Sequence, residues 1–198
     1  MRHKAMKNTQ QNSHHFHQHC KSYRFAIVTE KSNPEKPHNY WIKAIQESQR
    51  NISYDIIELT RSDWLSKVKH DYDMYLISPP FSTSRLKMLF DERIYILTNV
   101  LGKLTYPSFP SFFAYENKRL LSYYLTALNI PHPRTYVFYD QEEAFEYMQN
   151  KQFPLVAKMN IGASGLGVKI LSNQNEAAQY LTKSYGRGIR SKTGPDFR

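Results

Sequence analysis

Three short stretches in the first half of the chain are rich in aromatic and β-branched residues, which is typical of strands. Between and after them, apolar residues recur at helical spacing. The predicted strands span residues 23–30, 53–60 and 72–78, and the predicted helices span residues 39–49, 61–70 and 82–103. Asn39 is placed to cap the first helix. Strands that alternate with helices indicate βαβ units, so we predict a small Rossmann-like α/β layer on a parallel sheet.

The segment that follows differs in pattern from this alternation. Residues 104–113 contain Pro107 and Pro110 and are predicted to form an irregular connection. Residues 116–128 then have helical periodicity, and Asn129 can take the left-handed position that ends a helix. The face of this helix that we expect to be buried consists of Leu120, Leu121, Tyr124, Leu125 and Leu128.

A further strand is predicted over residues 134–139. Two capping patterns then predict the starts of two more helices. Asp140 with Glu143 forms the first pattern, and Asn173 with Glu176 forms the second. A mixed arrangement of helices and strands is therefore expected in the second half of the chain, in place of the regular βα alternation of the first half.

Between these two helices lies a strand, a glycine loop and a second strand. Residues 155–157 are apolar, Gly162, Gly165 and Gly167 follow, and residues 168–171 return to strand composition. A loop of this kind presents backbone N–H groups with little side-chain bulk, which suits phosphate oxygens. The dinucleotide fingerprint and the Walker loop are excluded, because a strand and not a helix follows and no Gly-Lys-Ser/Thr triplet occurs.

Lys158 interrupts the apolar strand immediately before the glycine loop. A lysine at this position must extend to water or meet an anion, because burial of an unpaired ammonium group is costly. The alternative is an ordinary hairpin with a glycine-rich turn and a surface lysine. The loop and Lys158 together make phosphate binding a hypothesis for this stretch.

The chain has 198 residues, 40% of them hydrophobic, and a formal net charge of +10. This composition is not that of a disordered chain and permits one full domain or two small ones. Residues 1–22 and 183–198 each carry +4, so the part between them carries only +2. Because the basic excess lies in the two tails, we expect no specific nucleic-acid surface; a nucleic-acid binder with basic tails stays an alternative.

The sequence has one cysteine, Cys20, which excludes an internal disulfide and fits a reducing compartment. With no apolar run of membrane-spanning length and no secretory signal, we expect a cytoplasmic protein without membrane contact. The region before residue 23 is polar and includes His3, His14, His15, His17 and His19. These histidines and Cys20 could bind a transition metal, but their spacing is not that of a zinc finger, and a disordered tail is the preferred interpretation.

The order of motifs in the second half resembles the ATP-grasp superfamily, and its glutamate-ligase-like branch in particular. The motifs are Tyr-Glu-Asn-Lys at 115–118, Ile-Pro-His-Pro-Arg-Thr at 130–135, Pro-Leu-Val-Ala-Lys at 154–158 and Gly-Ala-Ser-Gly-Leu-Gly-Val at 162–168. The βα layer that precedes them is similar to the N-terminal domain of that superfamily. The resemblance extends over residues 23–182 and rests on the order and spacing of the motifs more than on any one of them.

The resemblance implies the fold class and the domain organisation. It implies an α/β protein in which a Rossmann-like pre-ATP-grasp βα layer is followed by the first α+β subdomain of an ATP-grasp fold, in a truncated chain. The expected divisions are a disordered His-rich basic tail at 1–22, the pre-ATP-grasp domain at 23–103, a linker at 104–114, the first ATP-grasp subdomain at 115–183 and an irregular end at 184–198.

The resemblance also implies which residues bind ATP. Lys118 and Lys158 match the two lysines that approach the nucleotide, with Lys158 near the α- and β-phosphates. The flap that closes over the phosphates corresponds to Gly162, Ala163, Ser164, Gly165, Leu166 and Gly167. As a solvated first-turn residue, Lys118 would be unfavourable by about 0.3–1 kcal/mol at the positive end of the helix dipole, and a bound anion would offset that cost.

The chain departs from the superfamily pattern after the flap. It ends before the adenine-binding hinge, the acidic and Asn residues that hold magnesium, and the substrate-facing arginine. We therefore expect the N-terminal portion of a carboxylate–amine or carboxylate–thiol ligase that acts through an acyl-phosphate. We expect this portion to be inactive alone, because phosphoryl transfer depends on metal-assisted charge neutralisation.

Several expectations follow for partners. Mg²⁺ and a small-molecule carboxylate substrate belong to the completed ATP-dependent enzyme, and a second chain could complete the cleft. A non-catalytic nucleotide-binding module is the alternative function. The substrate and the nucleophile are not indicated by the sequence.

Overall fold

The computed structural model describes residues 21–30, 38–78, 83–162, 165 and 167–189. The histidine cluster and Cys20 lie outside these ranges, as do Ala163, Ser164, Leu166 and residues 190–198. The strands are β1 (Tyr23–Thr29), β2 (Ile52–Glu58), β3 (Met74–Ile77), β4 (Thr105–Tyr106), β5 (Leu155–Lys158) and β6 (Val168–Leu171). The helices are α1 (His38–Glu47), α2 (Trp64–Lys67), α3 (Ser84–Tyr95), α4 (Phe109–Ala114), α5 (Lys118–Ala127), α6 (Gln141–Gln149) and α7 (Gln174–Tyr185), and a π-helical turn, Ile96–Val100, extends α3.

In the described part of the chain, β1 to β4 form a four-stranded sheet in the order β2-β1-β3-β4, and every pair is parallel. β1 lies in the interior of the sheet and pairs with β2 along its full length, from Tyr23 opposite Ile52 to Thr29 opposite Glu58. On its other side, Phe25 to Val28 of β1 pair with β3. The expected parallel α/β layer is therefore confirmed.

The main core lies between one face of this sheet and the helix formed by α3 and its π-helical extension. Its fully buried residues are Ala26, Val28, Ile57, Leu59, Val68, Tyr75, Ile77, Phe90, Ile94, Leu97 and Phe112. Tyr75 is the largest of them to carry a polar group, and its hydroxyl donates a 2.6 Å hydrogen bond to the Val68 carbonyl oxygen. Burial raises the pKa of Tyr75 to about 12, so the hydroxyl stays a donor at all physiological pH values.

The second unit is built on an antiparallel hairpin of β5 and β6, in which Leu155 lies opposite Leu171 and Lys158 lies opposite Val168. α6 packs against α7, and α7 packs against β6. The expected caps are present, since Asp140 accepts from Glu143 N at 2.8 Å and Asn173 accepts from Glu176 N at 2.9 Å. Asn129 has φ +53°, which confirms the left-handed end of α5.

The prediction of an irregular connection over residues 104–113 was wrong. This segment contains β4, which adds the fourth strand by pairing Thr105 with Tyr75, and the helix α4. Pro110 lies in the first turn of α4, where the absence of an N–H group costs nothing because first-turn N–H groups have no partner within the helix.

The prediction of a strand over residues 134–139 was also wrong. This described segment forms no β-ladder, and its even-numbered aromatic residues pack on α6 instead. The ring centroids of Tyr136 and Phe138 lie 4.4 Å and 5.0 Å from that of Tyr147. Strand propensity is a preference for a half-buried surface, and here the aromatic contact with a helix satisfies that preference without a paired strand.

Three smaller predictions also need correction. α1 begins at His38, so Asn39 lies within the helix and does not cap it. α2 is a single turn, shorter than the expected helix over residues 61–70. On the face of α5 that was expected to be buried, Leu121, Tyr124 and Leu128 are exposed, and Leu120 and Leu125 are half-buried. None of the helices in the described ranges has the length and apolar character needed to cross a membrane.

The Tyr75 hydrogen bond generates a stability prediction. Tyr75→Phe leaves the Val68 carbonyl buried without this donor and should lower the free energy of unfolding by about 1–3 kcal/mol. Urea unfolding followed by circular dichroism measures the change. Tyr40→Phe, at a residue that is 79% exposed on α1, is the matched control and should leave the midpoint unchanged. Equal effects of the two variants would contradict the assigned role of the Tyr75 hydroxyl.

Candidate functional site

The first turn of α5 is attached to the chain that leaves β5. Asn117 and Ile161 form an antiparallel bridge. Lys118 N donates to the Asn160 carbonyl oxygen at 3.1 Å, and Arg119 N donates to Asn160 Oδ1 at 3.0 Å. Asn160 thus accepts from two successive backbone N–H groups, and it brings the start of α5 to the rim of the glycine loop.

The same contacts close the N-terminus of α5 to an anion. Leu120 N donates to Asn117 Oδ1 at 3.1 Å, and Leu121 N continues the helix by donating to the Asn117 carbonyl oxygen. The first N–H groups of a helix normally have no partner within it and can bind anions. In α5 they are already paired by Asn160 and Asn117, so an anion at this site would have to be bound by side chains.

Lys118 is directed towards the rim of the glycine loop. Its Nζ donates to the Gly162 carbonyl oxygen at 2.5 Å. Burial lowers the pKa of Lys118, the negative charge of Glu116 opposes that shift, and the positive charge of Lys158 adds to it. The two lysines that the sequence singled out, 40 positions apart, are therefore close enough to repel each other electrostatically.

The register of the β5–β6 hairpin gives Lys158 an apolar surround. Residues that lie opposite each other in an antiparallel pair share a face, so Val156 and Ile170 lie on the same face as Lys158 and its partner Val168. All four are exposed, with Val156 at 56% and Ile170 at 63%. The sequence did not predict this surface, because it does not show which residues of the two strands are paired.

The glycine loop uses the conformational freedom of its glycines. Gly165 and Gly167 have φ values of +78° and +72°, which other residues rarely adopt. Met159 N donates to the Gly167 carbonyl oxygen at 2.9 Å, and Val168 N donates to that of Gly165 at 3.2 Å. The loop is therefore a hairpin connection whose described backbone is hydrogen-bonded to its own flanking residues.

Lys87 is a buried charge that the sequence did not reveal. It is 2% exposed, pairs with Asp91, and donates to the Phe113 carbonyl oxygen at 3.2 Å. Its ammonium group also lies 5.2 Å and 5.4 Å from the ring centroids of Phe112 and Phe113. The i, i+4 spacing of Lys87 and Asp91 is usually that of a solvated surface pair, which is why periodicity gave no signal for it.

Over the described ranges, no group of three or more His, Cys, Asp or Glu side chains is arranged to hold an ion.

Two glycines of the loop offer a matched test of its geometry. A Cβ at Gly167 would approach Met159 side-chain atoms to 2.8 Å, whereas a Cβ at Gly165 would meet nothing within 4 Å. Gly165→Ala should lower the free energy of unfolding by about 1–2 kcal/mol through its positive φ alone. Gly167→Ala should cost more, since the contact adds to the strain. Thermal and urea unfolding compare the two, and an equal or smaller cost at Gly167 would contradict this loop geometry.

Comparison with known proteins gives structural matches only. No protein-family model and no curated protein sequence matches the chain. A RimK-domain ATP-grasp protein from Sphaerobacter thermophilus DSM 20745 superimposes with a TM-score of 0.56 at 17% identity, over 85% of this chain and 61% of its own. D-alanine–D-alanine ligase from Bacillus anthracis, complexed with ATP, gives a TM-score of 0.54 at 19% identity, over 83% and 55% of the two chains.

A third match is D-alanyl-alanine synthetase A from Vibrio cholerae O1 biovar eltor, with a TM-score of 0.55 at 13% identity, over 84% of this chain and 57% of its own. The chain thus spans between 55% and 61% of the length of these three structures. The TM-scores show a shared fold, and identities this low leave the activity of the chain open. The four-stranded parallel layer, the hairpin and the helices around them therefore correspond to part of an ATP-grasp fold.

Proposed function

We propose that this chain binds ATP as the N-terminal portion of an ATP-grasp carboxylate–amine or carboxylate–thiol ligase. The observation that supports this proposal is that Asn160, two residues after Lys158, binds the start of α5, so that Lys118 and Lys158 both lie at the rim of a glycine loop. Two ammonium groups near each other are unfavourable in the empty protein, and a polyanion that meets both would remove that penalty.

The chemistry around the lysines fits a nucleotide better than a simple anion. Lysine is a compact point charge suited to phosphate oxygens. Val156 and Ile170 add an exposed apolar surface on the face that carries Lys158. A ligand with a charged phosphate chain and a flat apolar ring would use both parts of this surface, and ATP has that character.

In this proposal the triphosphate is bound by lysine side chains and by the glycine loop. Since the N–H groups of the first turn of α5 are paired with Asn117 and Asn160, Lys118 would contact phosphate through Nζ, after releasing the Gly162 carbonyl oxygen. Gly162, Gly165 and Gly167, together with Ala163, Ser164 and Leu166 outside the described residues, form the proposed flap over the phosphates.

The similarity to solved structures adds support from a second direction. One structure with this fold, the ligase from Bacillus anthracis, is complexed with ATP. The ligase step itself is proposed by analogy of fold. A carboxylate oxygen of the substrate would attack the γ-phosphorus, ADP would leave, and an amine or thiol would then displace phosphate from the acyl-phosphate.

The metal and the substrate are proposed to be bound by residues beyond the described ones. Mg²⁺ would neutralise charge on the phosphates during transfer. Because the chain spans 55–61% of the three matched structures, we propose that a further lobe, in the same chain or in a second chain, supplies the metal ligands and the carboxylate-binding residues.

The hairpin provides a sharp test of ATP binding. Lys158→Met should weaken ATP binding at least about tenfold, since a hydrogen bond to a charged group contributes roughly 1.5–3 kcal/mol. Lys169→Met is the matched control, because Lys169 is also exposed on the hairpin but pairs with Ala157 and so lies on the opposite face. Isothermal titration of the full chain with ATP measures both. Equal affinities of the two variants, or no binding by the unmodified chain, would contradict the proposed site.

Turnover separates a ligase from a non-catalytic nucleotide-binding module. With Mg²⁺, ATP and a panel of carboxylates, we expect the 198-residue chain to bind ATP without releasing ADP, and ADP release to require the additional lobe. ADP release that persists after Lys118 and Lys158 are both replaced by Met would show that the reaction does not use this site. ATP binding without ADP release even in a preparation that carries the further lobe would favour the non-catalytic module.

A further inference from the structure

Three consecutive residues of the chain that leaves β5 contact the first turn of α5. The Asn160 carbonyl oxygen accepts from Lys118 N at 3.1 Å, and the Gly162 carbonyl oxygen accepts from Lys118 Nζ at 2.5 Å. Ile161, between them, forms the antiparallel bridge with Asn117. On the side of the 160–162 segment these contacts use backbone atoms, so they do not depend on which side chain stands at position 160.

One further contact does depend on that side chain. Asn160 is half-buried, and its Oδ1 accepts from Arg119 N at 3.0 Å. A backbone N–H group can only donate, so it requires an acceptor atom from the side chain that faces it. An alanine at position 160 would keep the backbone bond to Lys118 N and lose the bond to Arg119 N. The identity of residue 160 therefore decides whether the second N–H group of α5 is held.

The two lysines of the proposed site are held in place by different contacts. Lys158 lies opposite Val168 in the hairpin, and Met159 N donates to the Gly167 carbonyl oxygen at 2.9 Å. Neither contact involves residue 160. Two residues of chain span at most about 7 Å, so Asn160 stays close to Lys158 whatever its own contacts are. The side chain of Asn160 thus acts on the start of α5 and leaves the hairpin lysine where its strand places it.

We propose that Asn160 is a positioning residue for ATP, whose side-chain oxygen fixes the first turn of α5 so that Lys118 is directed at the glycine loop. This inference rests on the proposed ATP binding at Lys118 and Lys158. A single hydrogen bond would let the first turn rotate about it, whereas bonds from two successive N–H groups to one residue also fix its orientation. A lysine that is already oriented loses less conformational freedom when a phosphate binds, and this raises affinity.

Replacement of Asn160 in three backgrounds tests this role. In the otherwise unmodified chain, Asn160→Ala should weaken ATP binding about three- to tenfold at pH 7, the cost of ordering one long side chain on binding. In a Lys118→Met chain the same replacement should change affinity less than about twofold, since the side chain that it positions is gone. In a Lys158→Met chain the full loss should persist, because the hairpin and not Asn160 positions Lys158. Isothermal titration of the full chain with ATP measures all three.

Asn173→Ala is the matched control. Asn173 caps α7 by accepting from Glu176 N at 2.9 Å, so this replacement also removes one bond from an amide oxygen to a first-turn N–H group. It should lower the thermal midpoint about as much as Asn160→Ala and leave ATP affinity unchanged, because α7 carries none of the residues proposed to bind ATP. If Asn160→Ala does not fold, Asn160→Ser takes its place, since a hydroxyl oxygen can still accept, and should give a smaller loss with the same dependence on Lys118.

The remaining outcomes identify which idea fails. If the unmodified chain binds no ATP, the proposed function fails and the inference fails with it. If it binds ATP and Asn160→Ala leaves the affinity unchanged, Asn160 does not position Lys118, and the ATP site stands. An equal loss in all three backgrounds would show that the residue has a structural role only. Tighter binding by Asn160→Ala would show that the released Arg119 N–H group binds phosphate itself, which would also overturn the inference.

Discussion

The double acceptance by Asn160 is the contact on which the geometry of the candidate site depends. Its carbonyl oxygen and its Oδ1 receive the N–H groups of Lys118 and Arg119, so the start of α5 is fixed against the strand that leads into the glycine loop. A side-chain acceptor at a helix N-terminus is worth about 1 kcal/mol. Here it also determines position, because these bonds, the adjacent Asn117–Ile161 bridge and the hydrogen bond from Lys118 Nζ to the Gly162 carbonyl oxygen hold the helix against the loop.

A second constraint on the geometry of the site comes from the parallel layer, through Lys87 on α3. The buried Lys87–Asp91 pair is weak evidence for stability, because desolvation of two charges offsets most of their attraction. Its effect on geometry is clearer. Lys87 binds the carbonyl oxygen of Phe113, and Phe112 packs in the sheet core beside Phe90. The chain that enters the site is thereby attached to the parallel layer up to three residues before Glu116.

Much of the fold could be predicted because the local sequence signals, which are strand composition and helix caps, agree with the tertiary structure. The parallel strands β1 to β3 are rich in aromatic and β-branched residues, and the two capping pairs mark the starts of α6 and α7. Short or proline-containing elements could not be predicted, since β4 has two residues and is recognisable only by its pairing with β3. The 134–139 segment has strand composition, but its aromatic residues are used by a helix.

The residues proposed for the site could be named from the sequence, but their spatial relations could not. Lys118, Lys158 and the glycines could be named from sequence because their order matches known motifs. Three features depend on a tertiary contact or on a strand register. They are the binding of α5 by Asn160, the apolar face beside Lys158, and the charge of Glu116 near Lys118. Such contacts join residues that lie tens of positions apart, and no local propensity records them.

The charges at the site impose opposing requirements on the protein. The proposed polyanion site needs clustered cations, but such a cluster without its ligand is penalised by burial and by mutual repulsion, and both lower the pKa of Lys118. One solution is to leave the second cation solvated, and Lys158 is exposed on its strand. Another is to place a carboxylate within electrostatic range of the half-buried Lys118, as Glu116 is. Glu116 also lies within range of the positive charge of Lys87, which is anchored on the Phe113 carbonyl oxygen and lowers the pKa of the Glu116 carboxyl group.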